Sequence, residues 1–205
     1  MDNNKEKEES LNNFTKKVNF RERYKDVLDF IKFAIIAAVI VIPIRMFIAQ
    51  PFVVNGESMY PTFNDKEYLI VDEISYIING ADRGDVVIFK YPKDTSRFFI
   101  KRIIGMPNEK ISIEKGEITI FNEENKNGFK LDEPYINEKF ETSETYITGD
   151  DEYFVMGDNR NRSSDSRIWG ILPQKLMIGR AYLRLLPIKN ISYLPGSFNY
   201  EINNK

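Results

Sequence analysis

An uncharged apolar run, FAIIAAVIVIPI at positions 33–44, constrains this chain more than any other feature. The apolar character extends over residues 30–49, and a helix of that length would span roughly 30 Å, the thickness of the hydrocarbon core of a bilayer. Lys32 and Arg45 could snorkel towards the two interfaces. The pattern therefore predicts a transmembrane helix over residues 30–49.

Two alternatives to a spanning helix are a buried core helix and a cleaved signal peptide. A core helix would carry a polar stripe at helical spacing, which this segment lacks. A cleavable signal peptide would need small residues at its cleavage site, whereas the bulky Phe47 lies two positions before Ala49. Both comparisons favour an uncleaved span.

Basic residues flank the apolar segment unequally. After it, only Arg45 and then Lys66 carry a positive charge over the next stretch. Before it stand Lys16, Lys17, Arg21, Arg23, Lys25 and Lys32. The positive-inside rule then predicts a single-pass protein of the cytoplasmic (cell) membrane, with residues 1–29 as a cytoplasmic tail and the remaining chain extracytoplasmic.

Beyond the apolar segment, short alternating or apolar runs are separated by Gly, Pro, Asn and Asp, which is typical of strands. No long amphipathic helix interrupts them, so the pattern predicts a mainly β fold with antiparallel sheets. We expect residues 50–107 and 151–195 to form a catalytic β core. The acidic, Asn-rich residues 108–150 are expected to form a smaller inserted β subdomain, and 196–205 a C-terminal tail.

The chain has no histidine and no cysteine. This excludes Ser-His-Asp triads, cysteine proteases and zinc or iron sites built on His or Cys, and no metal or cofactor is expected. Its formal net charge of -2 offers no basic excess for nucleic acid, which is not an expected partner.

Two residues could nevertheless form a catalytic pair. Ser58 lies between Gly56 and a Pro-Thr turn, where its hydroxyl can be exposed, although a serine in this setting usually just makes a turn. Strand alternation puts Lys101 on one face with Phe99 and Ile103, where burial would lower its pKa and free a neutral amine. The alternative is an edge lysine that snorkels to water. Without histidine, a serine with a buried lysine is the base-activated serine arrangement that remains.

A polar run at 157–167, GDNRNRSSDSR, follows a predicted strand. It could be a solvated loop, or it could form a fixed network in which an ion pair holds the loop and a hydroxyl orients the lysine.

Together these segments resemble the ordered boxes of bacterial type I signal peptidase, or leader peptidase, in the single-span form of bacteria with one membrane. The resemblance covers roughly residues 20–190. It rests on Ser58-Met59 with Pro61-Thr62, on 83–87 (RGDVV), on 101–105 (KRIIG) and on 157–167.

The resemblance implies a membrane-bound serine endopeptidase that removes N-terminal signal peptides after small residues at the -3 and -1 positions. Ser58 would be the acylating nucleophile and Lys101 its general base, with Ser163 hydrogen-bonded to the lysine. The implied partners are the signal peptides of exported preproteins, membrane lipid and the secretion translocon.

Further roles follow from the same resemblance. Asp165 and Arg167, joined by Arg102, would form a structural ion pair, and Asp158 would brace the loop. The substrate would lie as an added strand, and its small side chains would enter shallow pockets lined by Phe52, Val54, Met59 and Ile100.

Two positions depart from the family pattern. Gly56 stands where two-span relatives place a serine that adds a hydroxyl to the oxyanion hole, so the Ser58 backbone N–H would act with less help. Asn108 replaces the glycine of a Pro-Gly-Asp turn, and asparagine tolerates the left-handed backbone expected there.

Two other functions remain open at this point. A self-cleaving repressor-type peptidase would share a Ser-Lys pair and a β fold, but neither the apolar span nor the 157–167 network favours it. A tethered β-module that binds peptides would leave Ser58 and Lys101 as ordinary turn and strand residues.

Overall fold

The computed structural model describes residues 24–41, 50–74, 76 and 80–200 of the chain. The chain divides into two compact units, one within residues 1–46 and one within 47–205. In the first, residues 24–41 are helical, so the helix already includes residues 24–29 of the predicted tail.

The predicted membrane span is only partly described, because residues 42–49 lie outside the described ranges. Among the described residues, no helix combines the length and the apolar character needed to cross a membrane. The span over residues 30–49 therefore stays a prediction.

The second unit is built from antiparallel strands. They are β1 (Gln50–Val53), β2 (Tyr68–Asp72), β3 (Val86–Tyr91), β4 (Asp94–Gly105), β5 (Lys110–Glu114), β6 (Glu117–Phe121), β7 (Phe129–Lys130), β8 (Glu144–Ile147), β9 (Glu152–Met156), β10 (Leu172–Pro173), β11 (Met177–Leu186) and β12 (Ser192–Tyr193). A short helix covers Ser166–Trp169, and single 3-10 turns cover Arg160–Arg162, Gln174–Leu176 and Ile188–Asn190.

The strands form two sheets among the described residues. The larger has the order β1-β2-β11-β3-β4-β9-β10, with β12 on β11, and the smaller has the order β7-β6-β5-β8. Every recorded strand pair is antiparallel. The mainly antiparallel β fold predicted from the sequence is thus confirmed.

The smaller sheet turns on a tight hairpin that the sequence pattern did not separate. Lys115 and Gly116 have φ values of 50° and 83°, and two consecutive left-handed residues match the twist of a two-residue hairpin. The predicted continuous run over 110–121 is therefore two strands, β5 and β6, paired Lys110 to Phe121.

A buried cluster joins the two sheets. It combines side chains from the ends of β4 and β9 with those of β5 and β6, and its buried members are Ile104, Ile111, Ile113, Ile118, Ile120, Phe140, Phe154 and Met156. The smaller sheet is thereby packed on β4, which contains Lys101, and on β9, which precedes the 157–167 run. The division into a core and an inserted subdomain remains an interpretation.

Candidate active site

Ser58 lies in a turn that follows β1. Its neighbour Gly56 has a φ of 93°, and the Gly56 N–H donates a 2.7 Å hydrogen bond to Asp65 Oδ1. Glycine adopts this backbone without the penalty that a Cβ would impose. The turn leaves Ser58 half-buried at the edge of a cleft.

Lys101 lies in β4 opposite Val87 of β3 and is only 3% exposed. Its Nζ is 2.8 Å from Ser58 Oγ and 2.8 Å from the Ile100 carbonyl oxygen. The Phe99 ring centroid is 5.2 Å from the same nitrogen. The structure thus brings together two residues 43 positions apart in sequence.

Burial lowers the pKa of Lys101 to about 8, because desolvation disfavours the ammonium form. The negative charges of Asp165 and Asp158 act in the opposite direction and limit the lowering. With a pKa near 8, roughly a tenth of the side chains carry a neutral amine at pH 7. An amine in this state can accept a proton from a hydroxyl at hydrogen-bonding distance.

The 157–167 segment is a structured loop, because its charged groups have partners. Asp165 is fully buried and accepts the Arg167 backbone N–H at the start of the short helix. Asp165 also forms a 2.7 Å ion pair with Arg167, and its Oδ2 accepts the Gly157 N–H at 3.0 Å. A solvated loop would not place these groups in the interior.

Arg102 does not join the Asp165–Arg167 pair as the resemblance implied. It pairs instead with Asp158, through two hydrogen bonds of 2.8 and 2.6 Å, and the two side chains are 1% and 0% exposed. Asp158 also accepts the Thr62 hydroxyl at 2.5 Å. Asp158 therefore holds the turn after Ser58 as well as the loop.

Ser163 lies close to this arrangement without a hydrogen bond to Lys101. Its Oγ is buried and has no hydrogen-bond partner among the described residues. An alanine Cβ at Gly157 would meet this oxygen and the Ser58 carbonyl oxygen. The orienting role of Ser163 stays a prediction.

A cleft of about 720 Å³ opens beside Ser58 and Lys101. Phe52, Val54 and Ile100 line it. Met59 does not, since it is fully buried in the core cluster that contains Phe63 and Leu69. Sequence reasoning missed Leu69 and Ile88, which also line the cleft; both look like ordinary strand residues in the sequence.

Two strand edges border the cleft. β1 pairs only with β2, and β4 is paired with β9 only from Arg102 onward, so residues 94–101 have β3 on one side alone among the described strands. Unpaired backbone groups of this kind can bind an extended peptide as an additional strand.

Two buried ion pairs, one of which includes a loop residue, were not predicted. Arg160 pairs with Glu133 at 2.5 Å, and Arg83 pairs with Glu109 at 2.6 Å. Each joins residues 26 or 27 positions apart, and sequence spacing alone does not indicate such a pairing. Asn108 adopts a φ of 61°, the left-handed conformation expected at its position.

No group of His, Cys, Asp or Glu suited to a metal ion occurs among the described residues.

Residues 27–186 match the family described as "Signal peptidase, peptidase S26". The chain belongs to this family. Its members are serine peptidases that cleave signal peptides, so a noncatalytic β-module is disfavoured.

Two named relatives agree with this assignment. The chain is 35% identical over 171 residues to "Probable signal peptidase I-2" of Synechocystis sp., with 80% of this chain and 75% of the relative covered. It is 32% identical over 196 residues to "Signal peptidase IB" of Staphylococcus aureus, with 86% of this chain and 97% of the relative covered. A crystal structure of a signal peptidase I from Enterococcus faecalis aligns with 49% of this chain and 95% of that one, at 30% identity and a TM-score of 0.42.

Gly157→Ala should destabilise this signal peptidase by about 1–3 kcal/mol, because the added Cβ would overlap the Ser163 hydroxyl and the Ser58 carbonyl oxygen. Gly149→Ala is the matched control, since its Cβ would meet only the flexible end of Glu152. Urea unfolding, followed by fluorescence of the single tryptophan, Trp169, would measure both free energies. Equal stability of the two variants would contradict the tight packing.

Proposed function

We propose that this chain is a membrane-anchored serine endopeptidase that removes N-terminal signal peptides from exported preproteins, with Ser58 as nucleophile and Lys101 as general base. The observation that carries the proposal is the 2.8 Å contact between Lys101 Nζ and Ser58 Oγ, made by a lysine that is 3% exposed. In a family of serine peptidases, and in a chain without histidine, this pair supplies both groups that acylation requires.

Acylation begins when neutral Lys101 accepts the Ser58 hydroxyl proton and Oγ attacks the scissile carbonyl carbon. The Ile100 carbonyl accepts one amine N–H, which aids the orientation of the nitrogen lone pair towards Ser58. As the C–N bond breaks, the lysine ammonium returns the proton to the leaving amine of the mature protein. The signal peptide remains as an ester on Ser58.

Deacylation uses the same lysine. Lys101 accepts a proton from a water molecule, whose oxygen attacks the ester carbonyl. The Ser58 alkoxide leaves and takes the proton back from the ammonium. The serine hydroxyl and the neutral amine are regenerated, and the signal peptide is released with a carboxylate terminus.

The oxyanion would form against the Ser58 backbone N–H, which donates no hydrogen bond to another described residue. The Gly56 N–H is engaged by Asp65, and Gly56 has no hydroxyl to add. Oxyanion stabilisation would thus rest mainly on one backbone donor.

The loop residues would fix the geometry of this pair. We assign Asp158 with Arg102, and Asp165 with Arg167, to holding the loop through their buried ion pairs. Ser163 is assigned to orienting the Lys101 amine during turnover, since its buried hydroxyl is free of other partners among the described residues.

The cleft supports cleavage after small residues. Phe52, Val54 and Ile100 form an apolar lining beside Ser58, with Met59 buried beneath, which leaves shallow room for side chains at -1 and -3. The preprotein would bind as an extended strand along the free edges of β1 and β4.

The apolar residues 30–49 would anchor the enzyme in the cytoplasmic membrane, with residues 50–195 outside. Membrane lipid and the secretion translocon would be its surroundings, and anchoring would raise the effective concentration of enzyme and substrate on one surface. Residues 50–107 and 151–195 would form the catalytic core and 108–150 the insertion.

Ser58→Ala and Lys101→Ala should each abolish cleavage of a synthetic precursor with Ala-X-Ala before the junction. Either change removes one member of a unit that acts together, so the double variant should be no worse than either single one. Ser143→Ala and Lys90→Ala, at exposed positions that do not line the cleft, are matched controls that should keep most activity. Substantial processing by folded Ser58→Ala protein would refute the mechanism.

The cleavage rate should rise with pH through a midpoint near 8, because only the neutral form of Lys101 can accept the serine proton. Below this pKa the ammonium dominates and the rate falls. Lys101→Arg should be inactive at every workable pH, since guanidinium stays protonated. The measurement is kcat over a pH series in detergent, and a flat profile or an active Lys101→Arg enzyme would exclude Lys101 as the base.

Trypsin added to intact cells stripped of their wall should degrade the chain after Ala49 and spare an epitope before Lys25, because the basic flank places the N-terminus inside. Immunoblotting of both regions would report the outcome. Protection of the whole chain, or recovery of the chain from the soluble fraction, would contradict the proposed anchor and orientation.

A further inference from the structure

A short segment between β7 and β8 contacts the loop that holds Ser58. It follows Leu131, whose N–H donates to the Ile118 carbonyl of β6 at 2.9 Å and so ties the segment to the smaller sheet. Two side chains of the segment, Glu133 and Tyr135, reach arginines of the larger sheet and its loop.

Glu133 compensates the charge of a fully buried arginine. Both guanidinium terminal nitrogens of Arg160 donate to the Glu133 carboxylate, at 2.9 and 2.5 Å, and the two side chains are 0% and 10% exposed. The third nitrogen, Nε, donates to the Gly157 carbonyl oxygen at 3.1 Å. Arg160 therefore links the Glu133 carboxylate to the backbone of Gly157.

Tyr135 contacts the second buried arginine. The Arg102 guanidinium carbon lies 3.9 Å from the Tyr135 ring centroid, a cation–π contact shielded from water. The Tyr135 hydroxyl donates to Glu133 Oε1 at 2.8 Å and is also hydrogen-bonded to the Tyr200 hydroxyl. The two side chains of the segment thus form one hydrogen-bonded unit.

The loop that these arginines hold touches Ser58 directly. The Asn159 N–H donates to the Ser58 carbonyl oxygen at 3.1 Å, and Gly157 packs too closely against that oxygen to accept a Cβ. Asp158, the ion-pair partner of Arg102, holds Thr62 at the other end of the same turn. A shift of the loop would therefore move the Ser58 backbone relative to Lys101.

We propose that Glu133 and Tyr135 are positioning residues for the Ser58–Lys101 pair, acting from the smaller sheet through Arg160 and Arg102. The inference rests on the proposed function. Neither side chain touches the cleft, so their loss should leave substrate binding almost unchanged. Their loss should lower the rate of the catalytic step, because small displacements of reacting groups slow that step strongly.

The test compares Glu133→Gln with Glu117→Gln in the full-length protein in detergent. Both replace a carboxylate of residues 108–150 that forms an ion pair, but the Glu117–Lys130 pair is 68% and 69% exposed and includes no residue of the loop. We expect kcat per folded enzyme to fall about tenfold to a hundredfold in Glu133→Gln, with KM within about twofold. Glu117→Gln should behave like the wild type.

Two further readings separate positioning from other effects. Trp169 fluorescence gives the folded fraction by which kcat is normalised. The pH midpoint of kcat should stay where the wild type has it, because Glu133 is not among the charges that act on Lys101. A shifted midpoint, a change confined to KM, or an unchanged kcat per folded enzyme would each overturn the proposal.

Tyr135→Phe decides the matter if Glu133→Gln fails to fold. It removes the hydroxyl that orients Glu133 while keeping the ring over Arg102, so kcat should fall by a smaller factor, again without a change in KM. A kcat equal to that of Glu117→Gln would overturn the proposal. Ser58→Ala separates a failure of this inference from a failure of the proposed function. If Ser58→Ala is inactive while the Glu133 and Tyr135 variants are fully active, only the positioning role fails.

Discussion

The contact between Lys101 and Ser58 depends on holding a lysine amine in the protein interior. Burial lowers the pKa of Lys101 to about 8, whereas an exposed lysine would stay protonated. Burial of the amine also requires a rigid surrounding, since a flexible lysine side chain would extend to solvent. The apolar faces of β3 and β4, the Phe99 ring and the Ile100 carbonyl together keep the nitrogen in place.

The loop beside this pair is held by buried charges in place of apolar contacts. Ion pairs Arg102–Asp158, Arg160–Glu133 and Arg167–Asp165 surround residues 157–167. A buried ion pair adds little net stability compared with apolar packing, yet removing one partner is costly. We interpret these pairs as fixing one conformation of the loop, in which Asn159 and Gly157 meet the Ser58 carbonyl.

The smaller sheet and the segment between β7 and β8 contact this loop and its strands. Its hydrophobic face joins the ends of β4 and β9, and its Glu133–Tyr135 segment completes the charge network of the loop. In the mechanism that we propose, residues of this segment influence a reaction that they do not touch. Apolar packing holds the two sheets rigidly together, and ion pairs orient the side chains that join the segment to the loop.

The sequence by itself determined the fold class and pointed to Ser58 and Lys101 as a candidate pair, because alternation of side chains and the absence of histidine are local or compositional facts. Ser58, Lys101 and the 157–167 loop could be named before any coordinates. Only the tertiary structure decided that Arg102 pairs with Asp158 and that Met59 lies in the core beneath the cleft. It also revealed Glu133 as the partner of Arg160. Partner choice among several carboxylates and guanidinium groups depends on their separation in space, and sequence spacing carries no such distance.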